Sequence, residues 1–168
     1  MQEKSAQENI SRIIFILLTL IVMIIIFMFS SENSDDSSDT SGRITEFIIK
    51  LFNSDFSSLS YERQNELFHL YEHIIRKIAH FTIFMSLGFC LSCAAGKRKI
   101  FSLKSLLVLT FCFLYACSDE IHQLFVPGRA GMLKDVFIDT SGSITGMLIS
   151  LAVIKAISYI KSKTADGK

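Results

Sequence analysis

Four apolar stretches alternate with polar ones along this chain, and each is close to the length of a helical membrane span. The first, Ile13 to Phe29, carries no charge. With its flanks it reaches the ~20 residues that a span needs. It is longer than a typical signal-peptide core and no Ala-x-Ala-like site follows it, so an uncleaved span is expected. The second, Ile78 to Ala95, is interrupted only by His80. The third, Ile100 to Ser118, has Lys104 near one end, where its stem can snorkel to the interface. The fourth, Val136 to Ile154, contains Asp139.

Residues 30–77 separate the first two spans. Ser30 to Thr40 is rich in Ser and Asp and reads as a flexible loop. From Gly42 to Phe52 the character changes. Ile44, Phe47, Ile48, Leu51 and Phe52 recur at i, i+3, i+4, i+7 and i+8, the spacing of an amphipathic helix. Arg43, Glu46 and Lys50 occupy its other face. Such a helix is expected to lie in the membrane interface or to pack over the bundle mouth. Ser57 to Ser60 reads as a turn or cap, and from Tyr61 a helical pattern returns and runs on into the second span.

That helix bears His69, His73, Arg76 and His80 at i, i+4, i+7 and i+11, on one face. His69 and His73 read either as solvated residues above the membrane or as donors aimed at the bundle mouth. His80 lies inside an apolar run, where a polar side chain needs a partner.

Composition agrees with the pattern. Half of the residues, 50%, are hydrophobic, and the mean hydropathy is +0.43, high for a water-soluble domain. A net charge of +1 offers no basic field for nucleic acid. Cys90, Cys93, Cys112 and Cys117 all fall in apolar runs. Cys90-Leu91-Ser92-Cys93 has redox-motif spacing, but apolar surroundings make a thiol inert, so these are expected to be small core residues. Basic residues set the orientation. With the N-terminus inside, the cytoplasmic segments hold Lys4 and Arg12, then Lys97, Arg98, Lys99 and Lys104, then Lys155, Lys161, Lys163 and Lys168. The expected fold is therefore all-α, a single domain over 1–168. It is an integral membrane bundle of four transmembrane helices plus a short amphipathic extracytoplasmic helix. Both termini are expected in the cytoplasm.

The candidate chemistry gathers at the outer ends of spans two to four. Asp119-Glu120-Ile121-His122-Gln123 follows the third span, Pro127-Gly128-Arg129 makes a bend, and Asp135 and Asp139 open the fourth. Ionisable groups at membrane depth are costly, so a cluster of them marks a functional site by default. Asp119 and His122 share a helical face at i, i+3, and Asp135 and Asp139 share one at i, i+4. His80 is expected to contact the Asp119–Gln123 block, because the short Gly96–Lys99 turn makes the second and third spans antiparallel neighbours.

Three readings fit this cluster. In the first it is an internally neutralised loop, with Arg129 pairing Asp119, Glu120 or Asp135. In the second it binds an anionic lipid or cell-wall precursor headgroup. Arg129 would be a bidentate fork for phosphate, Arg76 and His80 further donors, and Asp119, Glu120, His122, Gln123, Asp135 and Asp139 the selecting shell. In the third it is a membrane-embedded hydrolase or transferase, with His122 or His80 as general base and Asp119 and Glu120 as orienting carboxylates. A metal version would use His and Asp/Glu ligands. No nucleophile motif is present. His69-Leu70-Tyr71-Glu72-His73 lacks the Glu directly after the first His that a zinc helix carries. No metal or other cofactor is expected, and the partners expected are membrane lipids.

Taken together, several blocks resemble the VanZ-like family: Phe29-Ser30-Ser31-Glu32, Lys77-Ile78-Ala79-His80-Phe81, Asp119 to Gln123, Pro127-Gly128-Arg129, and Asp135 and Asp139 followed by Gly142. They stand in the family's order over nearly the whole chain. Glu32 takes the place where that pattern suggests Gln, and the first loop is longer. The resemblance implies a small multi-pass protein of the bacterial plasma membrane. The family's founding member is associated with resistance to teicoplanin without altered peptidoglycan precursors. The resemblance names a family and not a mechanism.

Overall fold

The computed structural model describes residues 2–53, 55–96 and 98–166, with the side chains of 2–5, 34–41, 43, 161, 165 and 166 left aside. Lys97 of the basic turn, and the side chains of Asp35, Asp36, Asp39 and Arg43, thus lie outside the described residues. The chain forms five helices: α1 (Gln2–Ser31), α2 (Ser34–Phe52), α3 (Tyr61–Ala95), α4 (Leu103–Gln123) and α5 (Leu133–Asp166). One 3-10 turn, Phe56–Ser58, precedes α3, and no strand occurs among the described residues. Four helices, α1, α3, α4 and α5, are long and apolar enough to cross a membrane. The all-α bundle read from the hydropathy pattern is the observed one.

The helices outrun the apolar stretches that announced them, because helical hydrogen bonding continues into polar flanks once the apolar part is packed. Tyr61 onward is indeed unbroken into the second span. At ~1.5 Å per residue, α3 exceeds a ~30 Å hydrocarbon core, and its first turns project past it. The third span starts later than Ile100. Ser102 caps α4, its side chain accepting the Ser105 N–H at 3.3 Å. The same helix ends later than Ser118, so Asp119 to Gln123 are its last turn and not part of a loop.

The flexible loop expected over Ser30 to Thr40 is not formed. α1 runs to Ser31, and α2 begins at Ser34. Packing on α3 holds the helix. Thr45 and Ile49 are fully buried, Gly42 faces the Phe68 ring, and Asn53 Nδ2 donates to Tyr71 Oη at 3.2 Å. Ile44, Phe47, Leu51 and Phe52 face outward and are exposed. The apolar stripe of α2 is therefore not its packing face, which is the smaller Thr45–Ile49 edge.

The core runs through the bundle as Ile26, Phe84, Leu87, Val108, Cys112, Ala116, Val136, Met147 and Leu151. α3 and α5 form its tightest pair. A Cβ on Gly142 would fall on the Phe81 carbonyl, one on Gly146 on the Met85 carbonyl, and one on Gly88 on the Ser143 carbonyl. Glycine at these positions lets the two backbones touch. Ser143 Oγ donates to Phe84 O at 3.1 Å, and Ser150 Oγ bonds Ser92 Oγ. At the basic end, Gly96 closes α3 with φ 76. Arg98 donates to Ser92 O at 2.8 Å, Gly96 O at 2.9 Å and Ser92 Oγ at 2.7 Å. All four cysteines are free, and Cys112 is in the core.

Candidate functional site

At the end of the bundle opposite Arg98, three helices and one loop enclose a pocket of about 180 Å³. α3 contributes His73, Arg76, Lys77 and His80, α4 contributes Glu120 and Gln123, and α5 contributes Asp135, Ile138 and Asp139. The connecting loop adds Gly128 to Ala130 and Met132. The helical spacing explains the α3 set, since i, i+3, i+4 and i+7 lie on one face. His69, one turn further out, is exposed, its Nδ1 3.7 Å from a Glu72 carboxylate oxygen.

His80 Nδ1 lies 3.8 Å from Asp139 Oδ2, a separation at which charges attract but no hydrogen bond forms. Asp139 is wholly buried, and neither of its carboxylate oxygens has a hydrogen-bond partner among the described residues. Asp119 stands behind this pair. One donor atom from each of His80, Asp119 and Asp139 lies within 4.8 Å of the others. His80 thus meets the Asp119 block as expected, but its nearest carboxylate belongs to α5. The glycine contacts explain this. Gly142 rests on Phe81, the neighbour of His80, and Asp139 is one turn before Gly142.

The rest of the block is tied to its surroundings. Asp119 Oδ2 accepts from Ser30 Oγ at 2.9 Å and from Gln123 Nε2 at 3.0 Å. Glu120 Oε2 accepts the Met132 N–H at 2.8 Å, fastening the loop to α4. Lys77 Nζ and Asp135 Oδ1 pair at 2.7 Å across the pocket rim. His122 turns away from the pocket. Its Nε2 is 3.0 Å from Ser31 Oγ, and its ring stacks on Phe27 at 4.7 Å.

Arg129 sits where the Val126 carbonyl accepts its own N–H at 3.1 Å, in a turn with Gly128 at φ 75. Its Nε donates to Glu32 O at 3.0 Å and its Nη2 to Phe29 O at 3.2 Å. These carbonyls end α1, so part of the guanidinium fork is spent on a helix terminus. Burial, and then the charge of Arg76, draw the Arg129 guanidinium below its usual pKa. It stays charged at neutral pH.

A family model matches residues 15–155. The chain belongs to the VanZ/LLP1 family. It matches no curated protein and no solved structure. In this VanZ/LLP1 chain the blocks that carried the resemblance converge in space. The Phe-Ser-Ser segment hydrogen-bonds the Asp119–His122 turn, Lys77 and His80 face α5, and Arg129 returns to α1. Ser30, Ser31 and Lys77 had no assigned role in the sequence. Their signal was present in the motifs that contain them, and only the fold supplies their partners.

Proposed function

We propose that this VanZ/LLP1 protein binds a phosphate-bearing anionic lipid or cell-envelope headgroup in the pocket, at the outer face of the bacterial plasma membrane. The observation that carries the reading is the pocket's composition. Arg76, Lys77, Arg129, His73 and His80 converge on one cavity. Its volume, about 180 Å³, is below the ~300 Å³ of drug-sized sites and suits a headgroup better than a whole glycan precursor. Lys77 and Arg129 are held at hydrogen-bond distance by their partners, whereas Arg76 Nη2 stands 3.7 Å from its partner Glu72, a looser pair, which makes Arg76 the principal donor to a phosphate, with Arg129 as support. The basic turn at the opposite end supports an outward-facing pocket with both termini in the cytoplasm. Through the family, protection against teicoplanin is the phenotype to examine.

The test is native mass spectrometry of the purified protein exchanged into phosphatidylglycerol and, separately, phosphatidylcholine. Retention of phosphatidylglycerol over phosphatidylcholine is expected, with affinity falling roughly tenfold in Arg76→Ala, the size of one charge-assisted contact. Equal retention of both lipids, or no change in the variant, contradicts the reading.

A second reading, membrane-embedded hydrolase or transferase, is favoured by one observation: His80 lies beside Asp139 at 3.8 Å on the pocket wall. Such a pair can serve a general base. Lipid extracts from cells with and without the protein separate the readings, because only an enzyme changes the headgroup inventory.

A further inference from the structure

We propose that His80, Asp119 and Asp139 form a binding site for a single divalent transition-metal ion, of the Mn²⁺ or Zn²⁺ class, in the inner wall of the pocket. Each residue comes from a different helix, α3, α4 and α5, and one donor atom from each lies within 4.8 Å of the others. Metal–ligand bonds of ~2.0–2.2 Å put neighbouring donor atoms about 3–3.5 Å apart. The His80–Asp139 separation of 3.8 Å is near that value and too long for a hydrogen bond.

Asp139 provides the independent sign of a ligand. It is fully buried at 0% exposure, and both of its oxygens lack a hydrogen-bond partner among the described residues. A buried carboxylate in that state is costly unless a charge faces it. His80 alone answers one carboxylate if protonated. A dication answers Asp119 and Asp139 together and leaves His80 neutral, the form in which imidazole ligates. Ser30 and Gln123 hold Asp119 Oδ2, orienting that carboxylate as outer partners of metal ligands do. One imidazole nitrogen and two carboxylate oxygens suit Mn²⁺ or Zn²⁺, whereas Ca²⁺ takes six to eight oxygens. Because His80 and Asp139 line the cavity, the remaining coordination positions open toward it. The ion site does not depend on the headgroup reading, since it is tested with the ion alone.

The experiment loads chelator-treated, detergent-purified protein with Mn²⁺ or Zn²⁺ and measures bound metal by mass spectrometry and affinity by calorimetry. One ion per chain is expected. Asp139→Asn and His80→Ala should weaken binding at least as much as losing an outer partner does, roughly 10–100-fold. His69→Ala removes an exposed histidine outside the pocket and should keep full binding. Pulsed electron paramagnetic resonance of the Mn²⁺-loaded unaltered protein should show coupling to one histidine nitrogen, a readout independent of how the variants fold. Absence of bound metal, absence of that coupling, or loss of binding in His69→Ala with retention in Asp139→Asn each overturns the proposal.

Discussion

Arg129 spans two backbone carbonyls at the C-terminal end of α1, Phe29 O in its last turn and Glu32 O just beyond it. The guanidinium offers coplanar donors on separate nitrogens, which a lysine ammonium lacks. Arg129→Ala should destabilise the protein by about 1–3 kcal/mol, the cost of orphaned polar groups. Arg129→Lys should fall between the two, because an ammonium reaches one carbonyl well and not both. Thermal unfolding in detergent orders the three proteins. A lysine variant as stable as the original would show that charge alone matters there. Headgroup retention, measured on the same samples, separates stability from binding. The guanidinium was legible in the sequence as a charged group beside a Pro-Gly bend. Its partners on α1 were not, because they are backbone atoms about a hundred positions away.

At the scale of elements, the α3–α5 contact positions the site. The Gly142-x-x-x-Gly146 spacing lets the two backbones touch and so brings His80 to Asp139. Gly146→Ala places a Cβ on the Met85 carbonyl, so the helices must part. Overpacking of this kind costs about 1–3 kcal/mol. Ala152 on the exposed side of α5 is the comparison, and Ala152→Leu should leave melting unchanged. If Gly146→Ala melts like the original, the close approach is not what holds the pair. α2 teaches the opposite lesson. Its period was legible, and its packing face was not, since the strongest apolar stripe belongs to the exposed side while Thr45 and Ile49 meet α3.

For the whole molecule, the polar pocket and the Arg98 turn occupy opposite ends of the bundle. An outward pocket predicts that, in a cysteine-free background, Ala130→Cys reacts with a membrane-impermeant thiol reagent applied to intact cells. Lys99→Cys and Ser162→Cys should react only after the membrane is opened. Labelling of Lys99→Cys in intact cells would invert the topology. Between these two polar ends the core is apolar, with Ile26, Phe84, Cys112 and Met147.

The sequence by itself determined the four membrane-length helices, the joining of the Tyr61 segment to the second of them, and the membership of His80, Asp119, Glu120 and Asp139 in one polar end. Those follow from local rules: apolar length, helical period, and the cost of ionisable groups in hydrocarbon. Tertiary structure decided which partner each polar group takes. It joined His80 to Asp139, turned His122 toward Ser31 and Phe27, tied Arg129 to α1, and changed the loop before Gly42 into helix. Those outcomes depend on helix rotation and interhelical distance. Both are set by which small residues let two backbones touch, a property of pairs of helices that no single stretch of chain contains.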